Sequence, residues 1–146
     1  MFELSDFYNR CRENDVEVIP YIGCPSPAAT VRDGKWLAVF LDFQQIQSTR
    51  LLRGICYHES GHVGTGALHK VSSPYETVER SEYRANRWSA EHYLTVDDFR
   101  AAFADGYTEI WELAEYFDLP EDDIINALTY WSERRGIDFN TEEQCG

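Results

Sequence analysis

His58-Glu59-Ser60-Gly61-His62 sets two imidazoles four positions apart with a carboxylate directly after the first, and that spacing acquires chemical meaning on a helix. There, residues four apart lie on one face, so both rings can reach a single ion while Glu59, one position along, reaches water beside it. A pattern with three fixed positions also arises by chance, with the histidines capping or lining a surface. Here the helix has separate support, because Leu51, Leu52, Ile55 and Cys56 lead into the two histidines at helical steps. The layout is that of a zinc hydrolase.

Catalytic zinc takes three protein ligands and keeps a fourth position for water, so a third ligand is required downstream. The extended form H-E-x-x-H-x-x-G-x-x-H is disfavoured, since Thr65 and Leu68 occupy its glycine and histidine positions and His69 is displaced by one. The remaining candidates are Glu76, Glu79 and Glu82. Glu82 lies well inside the helical pattern of VERSEYRANRWSAEHYL and is the first choice, with Glu79 second. Ala85, on the face of Glu82, is small enough to let this helix approach the histidine helix, and Asn86 can hydrogen-bond a ligand histidine from behind. His69, His92 and Tyr93 receive no role.

The flanking chain reads as α+β. Residues 3–13 carry Leu4, Phe7, Tyr8 and Cys11 at helical steps, and VEVIP is β-branched and closed by a proline, as a short strand is. In AATVRDGKWLAVFLDF, Asp33-Gly34 separates two strand-like runs, a strong hairpin signal, so a small antiparallel sheet is expected. HKVSSPYE reads as a loop. Thr95 and Asp98 form a capping-box start, Gly106 ends that helix, and two more helices part at Asp118-Leu119-Pro120. Trp111, Tyr130 and Trp131 are expected in a core. Residues 1–94 thus supply sheet and metal-binding core, 95–135 C-terminal helices and 136–146 a tail, within one domain of 146 residues.

Thirteen basic residues face 26 acidic ones, a formal charge of −13 that repels phosphate backbones and anionic lipid. The asymmetry is regional: residues 1–57 hold six basic and seven acidic groups, residues 58–146 seven and nineteen. The C-terminal helix pair has helix-turn-helix spacing, but residues 105–133 contain nine acidic groups and no basic one. It reads as a lid or a partner surface rather than a reader of DNA. The longest apolar run, Trp36 to Leu41, is far short of the ~20 residues that span a bilayer. The N-terminus lacks the pattern of a secretory signal, so a cytoplasmic location is expected. Cys11, Cys24, Cys56 and Cys145 are irregularly spaced and read as free thiols.

The stretch YHESGHVGTGALHKVSSPYETVERSEYRANRW resembles the active-site block of the ImmA/IrrE family of metallo-endopeptidase-like proteins of bacteria, phages and mobile elements. Glu82, Ala85, Trp88 and Ala90 match its E-x-x-A-x-x-W-x-A pattern. The offset of 24 from His58 to Glu82 is also that of gluzincin peptidases. Asn86 stands where the family often carries aspartate. The resemblance implies a zincin-like fold, a Zn²⁺ cofactor on His58, His62 and Glu82, and a helix-turn-helix repressor as substrate or partner. The residues themselves imply zinc hydrolysis. The ion polarises the scissile carbonyl and lowers the pKa of water toward ~7, while Glu59 relays the water proton to the leaving amine. The rival expectations are a module that sequesters a repressor without cutting it, and a structural domain with surface histidines.

Overall fold

The computed structural model describes residues 1–65 and 78–140. Within them lie α1 (Leu4–Glu13), β1 (Val16–Pro20), β2 (Ala28–Asp33), β3 (Trp36–Leu41), α2 (Thr49–Thr65), α3 (Val78–Tyr93), α4 (Val96–Ala104), α5 (Ile110–Phe117) and α6 (Glu121–Thr129). A π-helical turn, Tyr130–Arg134, follows α6. The architecture is α+β: six α-helices and a three-stranded sheet.

The sheet is mixed rather than wholly antiparallel. Its order is β1-β3-β2, with β2 and β3 antiparallel and β1 and β3 parallel, Val16 facing Leu37 and Pro20 facing Leu41. The hairpin itself forms where Asp33-Gly34 places it, with Gly34 at φ +60° in the turn. The difference arises because residues 21–27 carry the chain past the end of β3 to its far side, and β3 then returns between its two predecessors. Asp42 holds that crossing. Its carboxylate accepts from Gly23 N at 3.0 Å, Cys24 N at 3.2 Å and Gln45 Nε2 at 2.9 Å. Strand β3 is apolar along its length because it is central, with Ala38, Val39 and Leu41 buried.

Three of the helices start by one device. Asp6, Asp98 and Glu112 each close a capping box with their N-cap residues Glu3, Thr95 and Glu109. Gly106, at φ +92°, follows α4, and Asp118, in the left-handed region, ends α5 before Pro120 opens α6. A core of Phe2, Phe7, Phe99, Phe117, Leu94, Leu113 and Ile124 joins α1 to the C-terminal helices. Tyr130 and Trp131 are buried, whereas Trp111 is 57% exposed and belongs to no core. Residues 137 and 139 of the expected tail pack inward: Ile137 N donates to Trp131 O, and Phe139 meets Phe99 and Phe103 edge-on. The loop expected at 69–76 and the chain beyond Asn140 lie outside the described residues.

Arg53 pins the α5–α6 corner onto α2. It is buried, and donates from Nε to Asp118 O at 2.9 Å and from Nη2 to Phe2 O at 2.6 Å. No described helix is long and apolar enough to cross a membrane.

Candidate metal centre

Helix α2 presents His58 and His62 one turn apart, with Nε2 atoms 3.1 Å from each other. Helix α3 brings Glu82 to both: Oε2 lies 2.6 Å from His58 Nε2 and Oε1 lies 3.2 Å from His62 Nε2. These three side chains are the group of potential ligands found among the described residues. Glu79 is exposed in the first turn of α3 and is not part of it, while Glu76 and His69 lie outside the described residues.

The convergence depends on close helix packing. A Cβ on Gly61 would stand 2.1 Å from Ala85 O, and one on Gly64 would stand 2.3 Å from the Trp88 indole. Glycine on α2 and the fully buried Ala85 on α3 therefore let the backbones touch. Ser89 Oγ donates to Tyr57 O at 2.7 Å across the same crossing.

Asn86 Oδ1 stands 3.0 Å from His58 Nδ1. Since that oxygen accepts, Nδ1 carries hydrogen and Nε2 is the atom turned toward Glu82. Burial disfavours charge on His58, but the hydrogen bond to Glu82, the fields of Glu59 and Glu82, and the bond to Asn86 prevail and raise its pKa to about 9. Hydrogen bonds from His58 and then His62 hold Glu82 well below the usual carboxylate range. Two imidazole nitrogens 3.1 Å apart cannot both point hydrogen at each other.

The donor set fits Zn²⁺. Two imidazole nitrogens and a carboxylate oxygen are its usual partners, and bonds of ~2.0–2.1 Å in tetrahedral geometry put ligand atoms ~3.3 Å apart. Of the observed separations, those of 3.1 and 3.2 Å are close to that value, and the His58–Glu82 pair at 2.6 Å has to open by about 0.7 Å. Asn86 completes the arrangement that orients a ligand histidine.

Glu59 is buried and outside this triangle, and one carboxylate oxygen accepts from the Thr30 hydroxyl of β2. Thr30 was not expected from the sequence. The sequence carries no signal for it: only the structure shows it as the one buried position of β2. His58, Glu59, His62 and Glu82 share a cleft of about 610 Å³ with β2, α2 and the start of α6. His92 and Tyr93 do not line it: His92 stacks on Trp88 at 3.8 Å, and Tyr93 is packed against Phe2. Cys11, Cys24 and Cys56 are free. Burial, and then the field of Glu59, push the Cys11 thiol up to about 12; burial, Cys11 and Glu59 do the same to Cys56. Neither is a thiolate nucleophile.

Comparison with protein-family models, curated proteins and solved structures finds no match to this chain.

Proposed function

We propose that this chain is a zinc-dependent endopeptidase of zincin-like, ImmA/IrrE type, hydrolysing a peptide bond in a helix-turn-helix repressor of a phage or mobile element. The observation that carries the reading is the meeting of His58, His62 and Glu82 within 3.2 Å, with Glu59 beside them in one cleft.

Zn²⁺ held by the three ligands would supply Lewis acidity, polarising a carbonyl and acidifying water toward ~7. Glu59 takes the proton of the attacking water and delivers it to the leaving nitrogen. Thr30 fixes one of its oxygens, leaving the other for proton transfer. Strand β2 supports a polypeptide as the substrate. It has no strand neighbour on its outer side among the described residues, and consecutive residues Ala28 to Val31 line the cleft. Both side-chain parities line it, so the strand borders the cleft with its backbone edge, where an extended peptide can add by main-chain hydrogen bonds.

The experiment is metal analysis followed by co-incubation of the protein with a candidate helix-turn-helix repressor. About one equivalent of zinc is expected, lost in His58→Ala; under ~0.1 equivalent, unchanged by that substitution, overturns the metal site. Fragments should form with wild type and not with Glu59→Gln. Equal inactivation of the repressor by both proteins, without fragments, identifies sequestration instead.

A further inference from the structure

An acidic residue three positions into a helix has one task in three helices of this chain. Glu3 N donates to Asp6 Oδ2 at 2.7 Å, Thr95 N to Asp98 Oδ2 at 3.1 Å and Glu109 N to Glu112 Oε1 at 3.1 Å. Helix α6 has the same residue type at the same place, Asp123, but its N-cap is Pro120. Proline has no N–H to give, so no box can close. Among the described residues the Asp123 carboxylate has no hydrogen-bond or ion-pair partner.

That carboxylate lies on α2 instead. A Cβ built on Gly54 would stand 2.8 Å from Asp123 Oδ2 and 2.5 Å from Pro120 Cγ. Gly54 is one helical turn before His58, so Asp123 faces the same cleft as the metal centre, and the Arg53 tether to Asp118 fixes the corner that carries it. Burial raises the Asp123 carboxyl to about 7, with the charge of His58 opposing and that of Asp122 adding to the rise. No lysine or arginine of the described residues lines the cleft. Leu51, Ile55 and Pro120 form the apolar wall beside it.

We propose that this arm of the cleft is a subsite for a lysine or arginine side chain of the bound polypeptide, with its stem along Leu51, Ile55 and Pro120 and its cationic head on Asp123. Lysine and arginine pair an aliphatic stem with a charged, donor-rich head, the combination that an apolar slot ending in an unpaired carboxylate satisfies. The assignment rests on the peptidase reading, and names the substrate feature that such an enzyme selects.

The test has two arms. Zinc-loaded wild type and Asp123→Asn digest unfolded casein, and the new termini are read by mass spectrometry. Wild type should place lysine or arginine at one fixed position near the cut, and Asp123→Asn should cut those sites ~10–100-fold less, the scale of one charge-assisted hydrogen bond, while sites without a basic residue are spared. Cleavage with no basic preference, or a preference unchanged in Asp123→Asn, overturns the subsite and leaves the peptidase standing. No cleavage above that of Glu59→Gln means that casein is not a substrate. The second arm then decides for the slot alone: metal-free protein is titrated with acetyl-arginine amide and acetyl-norleucine amide by NMR. Preference for the arginine compound, lost in Asp123→Asn, supports the slot, and equal binding of the two overturns it.

Discussion

Replacing Gly61 by alanine tests the helix packing on which the metal centre depends. Helix propensity alone predicts a gain of ~1 kcal/mol, because glycine is the poorer residue in a helix interior. The structure predicts otherwise. The added methyl would stand 2.1 Å from Ala85 O, 2.7 Å from Ala85 C and 2.8 Å from Ser89 Oγ. Carbon-to-oxygen contacts begin near ~3.3 Å, so α3 must retreat by about 1 Å, and the obstacle is backbone that no rotamer change can clear. Overpacking of this kind costs ~1–3 kcal/mol, which leaves the metal-free variant between unchanged and ~2 kcal/mol less stable. The effect on the site is larger. Ala85 and Glu82 lie three apart on one face, and metal ligands tolerate displacements of only ~0.2 Å. Zinc affinity should fall ~10–100-fold, the cost of disturbing the support of a metal ligand. Urea denaturation of metal-free protein and competition against a chromogenic chelator measure the two quantities. Gly64→Ala is the comparison, since its methyl would stand 2.3 Å from the Trp88 indole, a side chain rather than backbone; its zinc affinity should fall less than that of Gly61→Ala. A Gly61→Ala protein that gains the ~1 kcal/mol of propensity and keeps its zinc affinity refutes the close packing.

Three further outcomes follow from the same geometry. Asn86→Leu removes the acceptor at His58 Nδ1 and should weaken zinc ~10–100-fold in chelator competition, whereas Asn86→Asp should bind at least as well as wild type; equal binding by Asn86→Leu contradicts the orienting role. Zinc must displace the proton that His58 holds up to about pH 9, so apparent affinity should climb ~tenfold per pH unit from ~7 to 9 and then level, and a flat profile refutes it. The sign is that of a raised histidine: the proton's contribution to metal-free stability is complete below ~6.5 and fades as pH rises through about 9. Thr30→Val loses the hydroxyl that Glu59 accepts from, and should slow casein hydrolysis ~tenfold with zinc content unchanged, while Thr30→Ser restores the rate. Equal rates for the two variants would show that the hydroxyl is idle.

What was legible in the sequence was what neighbouring residues decide among themselves. The spacing of His58 and His62, the place of Glu82 inside a helical pattern, the small Ala85 and the acceptor Asn86 are all properties of single helices, and the structure brings the three candidate ligands together. The Asp33-Gly34 hairpin and the Thr95 cap are local in the same sense. Contacts between distant segments were not legible. Nothing in VEVIP says that its partner is β3 running parallel rather than its successor. Thr30 reaches Glu59 across 29 positions, and Arg53 reaches Asp118 across 65. Trp111 has a core residue's composition and yet stands 57% exposed, because the side of α5 that faces inward is set by Leu113, Ala114 and Phe117. Gly61 carries no signal for the same reason, since its small size matters only because Ala85 lies against it.

The placement of β3 between two earlier strands has a consequence for how the chain acquires its shape. As the polypeptide leaves the ribosome, residues 16–20 and then 28–33 emerge with no ladder to join, and neither finds its mate until 36–41 has followed. The hairpin can zip quickly, since its halves meet across Gly34, but docking of the first strand closes a longer loop and comes second. Until then two unpaired backbone edges stand open on the nascent chain, which makes that interval its moment of greatest exposure to mispairing.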